Sequence, residues 1–90
     1  MSNRGIYEFS REVKDYIHKR DADKYPPEYN VEVDHICSIR QAKELGIPAW
    51  IVSSAVNAQL LSRKENRRKN GKDADPEFVD YLLSLIVKML

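Results

Sequence analysis

Apolar positions along this chain recur with two different periods, and the polar gaps between them carry cap and turn residues. Ser10 is a helix-capping residue type, and Val13, Tyr16 and Ile17 then fall on one helical face, which predicts a first helix to about Arg20. "RDADKYPPEYN" ends it, because Pro26 and Pro27 cannot continue a helix and favour an extended turn. "VEVDHICSI", with β-branched Val31, Val33 and Ile36, predicts a strand. "RQAKELGIP" predicts a short helix around Gln41–Leu45, stopped by Gly46 and Pro48. "AWIVSSAV" fits a buried strand or a buried helix, and Trp50 and its neighbours are expected in the core. Ala58–Leu61 fits a second short strand. Ser62 followed three residues later by Glu65 forms a capping box, which starts a helix at about Arg63 and leaves Asn70-Gly71 to end it. Asp75 caps and Pro76 opens a last helix to the C-terminus, where Phe78, Leu82, Leu85, Ile86 and Met89 form an apolar stripe for packing on the core.

One predicted element does not fit this scheme. The helix Arg63–Asn70 is about two turns long, too short to hold itself together in water, and it has no apolar stripe with which to dock. A metal ligand on the helix, together with packing of its long Arg and Lys stems, would fix it in place.

Charge sharpens the anomaly. Residues 63–72 carry Arg63, Lys64, Arg67, Arg68, Lys69 and Lys72 against Glu65 alone, a local charge of +5 in a chain of net charge +1. Asp73, Asp75, Glu77 and Asp80 follow directly. A basic patch on a near-neutral protein points to a local anionic ligand rather than to coating of nucleic acid along its length. Ninety residues make one domain, 1–90, which buries only roughly 60% of its unfolded surface. An apolar content of 42% fits a globular domain, and the absence of an apolar run of ~18 residues argues against a membrane span. The N-terminus "MSNRGIYEFSREVKDY" is charged and lacks an apolar signal region, so the expected location is cytoplasmic. Cys37 is the single cysteine, which excludes an internal disulfide and a paired-cysteine zinc site; it is expected to be a small buried thiol. His18 is expected on the surface.

The candidate chemistry lies at Asp34 and His35, side by side at the end of the first predicted strand, with Asn57 before the second and Asn66 in the short helix. The pattern "VDHI" followed by "NAQLLSRKENRRK" resembles the HNH nuclease family, of the His-Asn-Asn type found in the nuclease domain of CRISPR effectors. The matching region runs from about Val31 to Lys72. The resemblance implies an α+β domain with a ββα-metal (HNH, or His-Me finger) core, here flanked by N- and C-terminal helices. It implies that His35 activates the attacking water, that Asp34 and Asn66 bind one divalent metal, and that Asn57 ties the loop between the strands to the backbone near the histidine.

The residue types suit that chemistry on their own terms. Phosphodiester hydrolysis needs a base of near-neutral pKa, which histidine supplies, and a hard cation to stabilise charge on phosphate and leaving oxygen. Carboxylate and amide oxygens suit Mg²⁺ or Mn²⁺, with Zn²⁺ a further option. Arg67, Arg68 and Lys69 are candidate phosphate contacts, joined by Arg63 one turn earlier on the same face. Adjacent strand residues point to opposite faces, so Asp34 and His35 can serve one site only where the strand ends or twists. The 22 residues from His35 to Asn57 must form a small subdomain. "GIYEF" at Gly5–Phe9 is similar to half of a motif from a different nuclease family whose second half is missing here.

The expected function is therefore a metal-dependent DNA endonuclease. The alternatives are a nucleic-acid-binding module without catalysis, a toxin nuclease domain with an immunity protein or larger complex as partner, and an interaction protein using its last helix. Oligomeric state and DNA specificity are left open by the sequence.

Overall fold

The computed structural model describes residues 4–70 and 72–88. Gly71 and Met89, assigned above to a helix stop and to the apolar stripe, lie outside the described residues. The architecture is α+β: a two-stranded antiparallel sheet with helices before, between and after its strands.

A 3₁₀ turn at Arg4–Tyr7 leads to helix α1, Arg11–Arg20, capped by the Ser10 hydroxyl, which accepts from the Val13 N–H at 3.2 Å. The double-proline segment forms a turn in which the Tyr29 N–H donates to the Pro26 carbonyl (3.0 Å). Strand β1, Val31–His35, pairs with β2, Ala58–Ser62, in the register Val31 to Ser62 through His35 to Ala58.

Alternation along the strands assigns the two faces. Val31, Val33, Ala58 and Leu60 join Phe9, Val13, Ile17 and Tyr25 in a cluster beneath α1. Glu32 and Asp34 turn the other way and meet helix α4, Arg63–Lys69. The outer edge of β2 is closed by α1 and the turn after it: Arg20 donates to the Ala58 carbonyl (3.0 Å) and Lys24 to the Leu60 carbonyl (2.9 Å). These contacts blunt an edge that would otherwise be open to pairing.

The excursion between the strands is the expected subdomain. Helix α2, Ile39–Leu45, begins two residues earlier than the sequence reading placed it. The reason is Ser38, whose hydroxyl accepts from the Gln41 N–H (3.0 Å), a Ser-x-x-Gln capping signal. Gly46 ends α2 in the left-handed conformation, φ 74°, which glycine adopts without steric cost. The ambiguous "AWIVSSAV" resolves into helix α3, Ala49–Val52, and a 3₁₀ turn, Ala55–Asn57. Trp50 departs from expectation: it is 53% exposed, while Ile51 and Val52 turn inward. One turn of helix has a single inner face, and the smaller aliphatics occupy it.

Helix α5, Pro76–Lys88, is capped by Asp75, whose carboxylate accepts from the Glu77 N–H (3.0 Å). Its Leu82 is fully buried among Cys37, Ile39, Ala42, Ile47, Ile51 and Val52, with Phe78, Leu85 and Ile86 packed around them. The buried Gln41 side chain accepts from the Ala74 N–H (2.9 Å), tying α2 to the segment before α5. Among the described residues no helix is long and apolar enough to cross a membrane.

Candidate functional site

The end of β1 governs the geometry. Asp34 and His35 are adjacent, and their side chains diverge as strand pleating requires. The Asp34 carboxylate meets Gln59 across the sheet (3.1 Å) and Lys69 on α4 (2.5 Å). The His35 ring stacks instead on Phe9, with centroids 3.9 Å apart and planes 15° off parallel. Because β1 stops at His35, both residues still border one cleft of about 220 Å³, which Asn66 and Lys69 also line.

His35 Nε2 lies 2.8 Å from the Tyr7 carbonyl. A carbonyl can only accept, so this nitrogen carries the proton and Nδ1 holds the lone pair of the neutral ring. Burial pushes the imidazole pKa below its ordinary value, against the opposing pull of the Tyr7 carbonyl and the Glu8 and Asp34 carboxylates; Lys69 pushes the same way as burial. The ring is therefore held neutral and oriented at neutral pH, the state a general base requires.

Asn57 is fully buried and closes the 20-residue span back to Cys37. Its Oδ1 accepts from the Cys37 N–H (2.8 Å), and its Nδ2 donates to the carbonyls of Cys37 (3.0 Å) and Val52 (3.1 Å). Its own carbonyl accepts from the Ile36 N–H (2.8 Å). These bonds tie the end of the excursion between the strands to the backbone two residues past His35. Cys37 is a buried free thiol whose pKa burial raises, an inert arrangement.

Helix α4 is docked by polar contacts. The Ser62 hydroxyl caps it by accepting from the Glu65 N–H (3.2 Å), and the Glu65 carboxylate accepts from the hydroxyls of Ser62 (3.1 Å) and Tyr25. The Arg63 N–H donates to the Asn30 carbonyl (3.0 Å). Asn66 Nδ2 donates to Glu32 (2.9 Å), which also receives Arg63 Nε (3.3 Å). Asn66 also lines the cleft at His35. Lys69 bridges two elements: its ammonium donates to the Asp34 carboxylate and to the His35 carbonyl. Arg67 and Arg68 are exposed and have no ion-pair partner among the described residues.

The structure therefore brings Asp34, His35, Asn66 and Lys69 to one cleft, with Asn57 supporting it from within. Lys69, expected at phosphate, is drawn inward by the Asp34 charge, while Arg63 is paired to Glu32. Among the described residues no three of His, Cys, Asp and Glu gather as a metal group. The oxygens that converge are those of the Asp34 carboxylate and the His35 carbonyl, both on one cation, the Lys69 ammonium, at a cleft that Asn66 also lines. An all-oxygen set of this kind fits a hard divalent ion.

Three contributors escaped the sequence reading. Tyr7 acts through its backbone carbonyl, which no side-chain pattern reports. Phe9 lies in "GIYEF", a stretch noted only as half of a different motif and not tied to His35. Glu32 shares the Asp34 face of β1, and two acids at i and i+2 in a β-branched strand were a visible sign. The chain matches no family model, no curated protein and no solved structure.

Two expectations follow from this geometry. Asn57→Ala leaves buried backbone groups of Cys37 and Val52 unpaired at about 1–3 kcal/mol each. Loss of at least about 3 kcal/mol in urea unfolding is expected; Asn57→Asp, which keeps the acceptor but loses the donor, is also destabilised. Wild-type stability on substitution to Ala would show that the pin is dispensable. The second concerns pH. The folded imidazole pKa lies below the unfolded value of about 6.5, so the unfolded chain binds more protons in the window between the two. The His35 contribution to stability is present above about pH 6.5 and is lost as pH falls through the folded value. Unfolding midpoints of His35→Gln should fall less steeply over this window than those of the wild type.

Proposed function

We propose that this chain is a metal-dependent endonuclease with a ββα-metal core, hydrolysing DNA phosphodiester bonds. The observation that supports it most is the convergence of the Asp34 carboxylate and the His35 carbonyl on one cation at a cleft shared by His35 and Asn66. The motif that the sequence resembles expects a metal on Asp34 and Asn66; the His35 carbonyl is a ligand added by this reading. Asp34, the His35 carbonyl and Asn66 would hold a Mg²⁺ or Mn²⁺ ion; the all-oxygen set favours these over Zn²⁺, which prefers nitrogen and sulfur. When bound, such an ion supplies charge stabilisation at the phosphate and the leaving oxygen.

The other steps belong to the chain. His35 Nδ1 takes the proton of the attacking water. The Tyr7 carbonyl, already accepting from Nε2–H, stabilises the imidazolium that forms. Phe9 holds the ring plane and keeps water from one face of it. Arg67 and Arg68 neutralise the flanking phosphates. Lys69 exchanges its carboxylate partner for a phosphate oxygen as metal and substrate enter.

A second reading is favoured by one contact. The Asp34–Lys69 ion pair at 2.5 Å neutralises Asp34 within the chain, as suits a nucleic-acid-binding module without catalysis.

Plasmid cleavage separates the two. Under the nuclease reading the protein cuts with Mg²⁺ or Mn²⁺ and stops with excess chelator, and His35→Ala slows cutting by ~10²–10⁴-fold while DNA binding persists. Cutting undiminished by chelator, or a His35→Ala variant at the wild-type rate, would sink this mechanism. Metal affinity gives an independent measure. Lys69→Met removes the competing ammonium, and Mn²⁺ binding followed by electron paramagnetic resonance should tighten on the order of tenfold, the scale of one charge-assisted contact. No Mn²⁺ binding in either protein would leave the second reading standing.

A further inference from the structure

On the far side of α4 from the cleft at His35 lies a second concavity, of about 630 Å³, bordered by Arg63, Lys64, Arg67 and Arg68 of α4 and by Tyr29 and Asn30 of the loop before β1. Four cations line it, and among the described residues no carboxylate does. Lys64, Arg67 and Arg68 have no ion-pair partner among the described residues. Tyr29 is 52% exposed, yet its place is set from three directions. Its N–H closes the turn on Pro26, and its ring stacks on Tyr25 with centroids 5.9 Å apart. Tyr25 is itself held through its hydroxyl by Glu65 of α4, and the Asn30 carbonyl receives the Arg63 N–H. An exposed aromatic ring is thus braced against the helix that carries the unpaired cations.

The groove and the cleft at His35 are linked by shared lining residues through a third concavity. Arg63 and Arg67 border both this groove and a middle cleft beside Glu32. Asn66 and Asn70 border both that middle cleft and the one at His35. One helix therefore lines a track from Tyr29 to His35.

We propose that this groove binds an unpaired stretch of nucleic-acid strand, one base stacked on Tyr29 and its phosphates on Arg67 and Arg68, as the flank of the strand that enters the His35 cleft. The chemistry is that of single-strand sites generally: a cationic groove follows the backbone, and an aromatic ring accepts any base by its π-face. A paired base buries its faces in the duplex stack and cannot use Tyr29. The groove therefore selects a frayed, looped or single-stranded flank. The strand's path to His35 rests on the nuclease reading; the Tyr29 site itself does not.

The test is made in chelator, where no cutting occurs. A fluorescein-labelled oligothymidylate of about 12 nucleotides, within the span of such sites, and a blunt duplex of the same length are titrated by fluorescence anisotropy. Tyr29→Ala should weaken oligothymidylate binding by about 5- to 150-fold, the loss expected when one stacked base loses its platform. Duplex affinity should stay at the wild-type value, and Tyr29→Phe, which keeps the ring, should bind both as wild type does. Unchanged oligothymidylate affinity in Tyr29→Ala would overturn the proposal. So would an equal loss on the duplex, which would make Tyr29 a support for the loop. A protein that shows the Tyr29 effect but does not cut plasmid with Mg²⁺ or Mn²⁺ keeps the groove and loses the nuclease reading; one that cuts but lacks the Tyr29 effect does the reverse.

Discussion

The buried amide of Asn57 is the constraint on which the rest of the structure depends. A two-stranded ribbon is marginal by itself, and here its strands are separated by a long excursion rather than a tight turn. Asn57 offers one acceptor and two donors where β2 begins, and Cys37 and Val52 take all three. The side chain acts as an additional rung beyond the last strand pair, His35 with Ala58. It fixes where β1 stops, and the stop allows Asp34 and His35 to border one cleft although their side chains diverge. Its partners Cys37 and Val52 belong to the apolar cluster around Leu82, and full burial of Asn57 keeps water from competing for its hydrogen bonds.

Helix α4 shows how a segment without an apolar stripe can still be placed. Polar links hold it to the rest: the Asn30 carbonyl at its first turn, Tyr25 at Glu65, Glu32 at Arg63 and Asn66, and Asp34 with the His35 carbonyl at Lys69. Each joins the helix to the loop before β1 or to the acidic face of β1. A metal ligand and packing of the long stems were expected to do this; the polar links accomplish the docking within the protein. They consume Arg63 and Lys69 and leave Lys64, Arg67 and Arg68 facing outward. The acids on β1 therefore divide the basic run into docked and displayed cations.

Lys69 has a double character that follows from this division. Its ammonium occupies a seat defined by a carboxylate and a backbone carbonyl, and the same oxygens suit a hard divalent ion. Under the proposed nuclease reading, the docking contact and a bound ion would compete for these oxygens. The helix most in need of a tether is also the one expected to meet substrate.

The sequence by itself determined most of the elements and their ends. Ser10, the Ser62–Glu65 box, Gly46 and the Asp75-Pro76 pair act through atoms within a few residues of themselves, so their effects are local and readable. β-branching marked the first strand, and the resemblance carried by Asp34, His35, Asn57 and Asn66 named residues of which the structure sets three at one cleft and buries the fourth, Asn57, against Cys37. Only the tertiary structure decided which contacts those residues make. The Tyr7 carbonyl sets the His35 tautomer from 28 positions away, and Phe9 stacks on the ring from another element. Lys69 turns inward rather than toward solvent because Asp34 lies within reach. Trp50 is exposed because its single helical turn had one inner face to give. These outcomes depend on how elements distant in sequence pack, and a backbone carbonyl or the direction of a flexible lysine leaves no mark on composition, spacing or period.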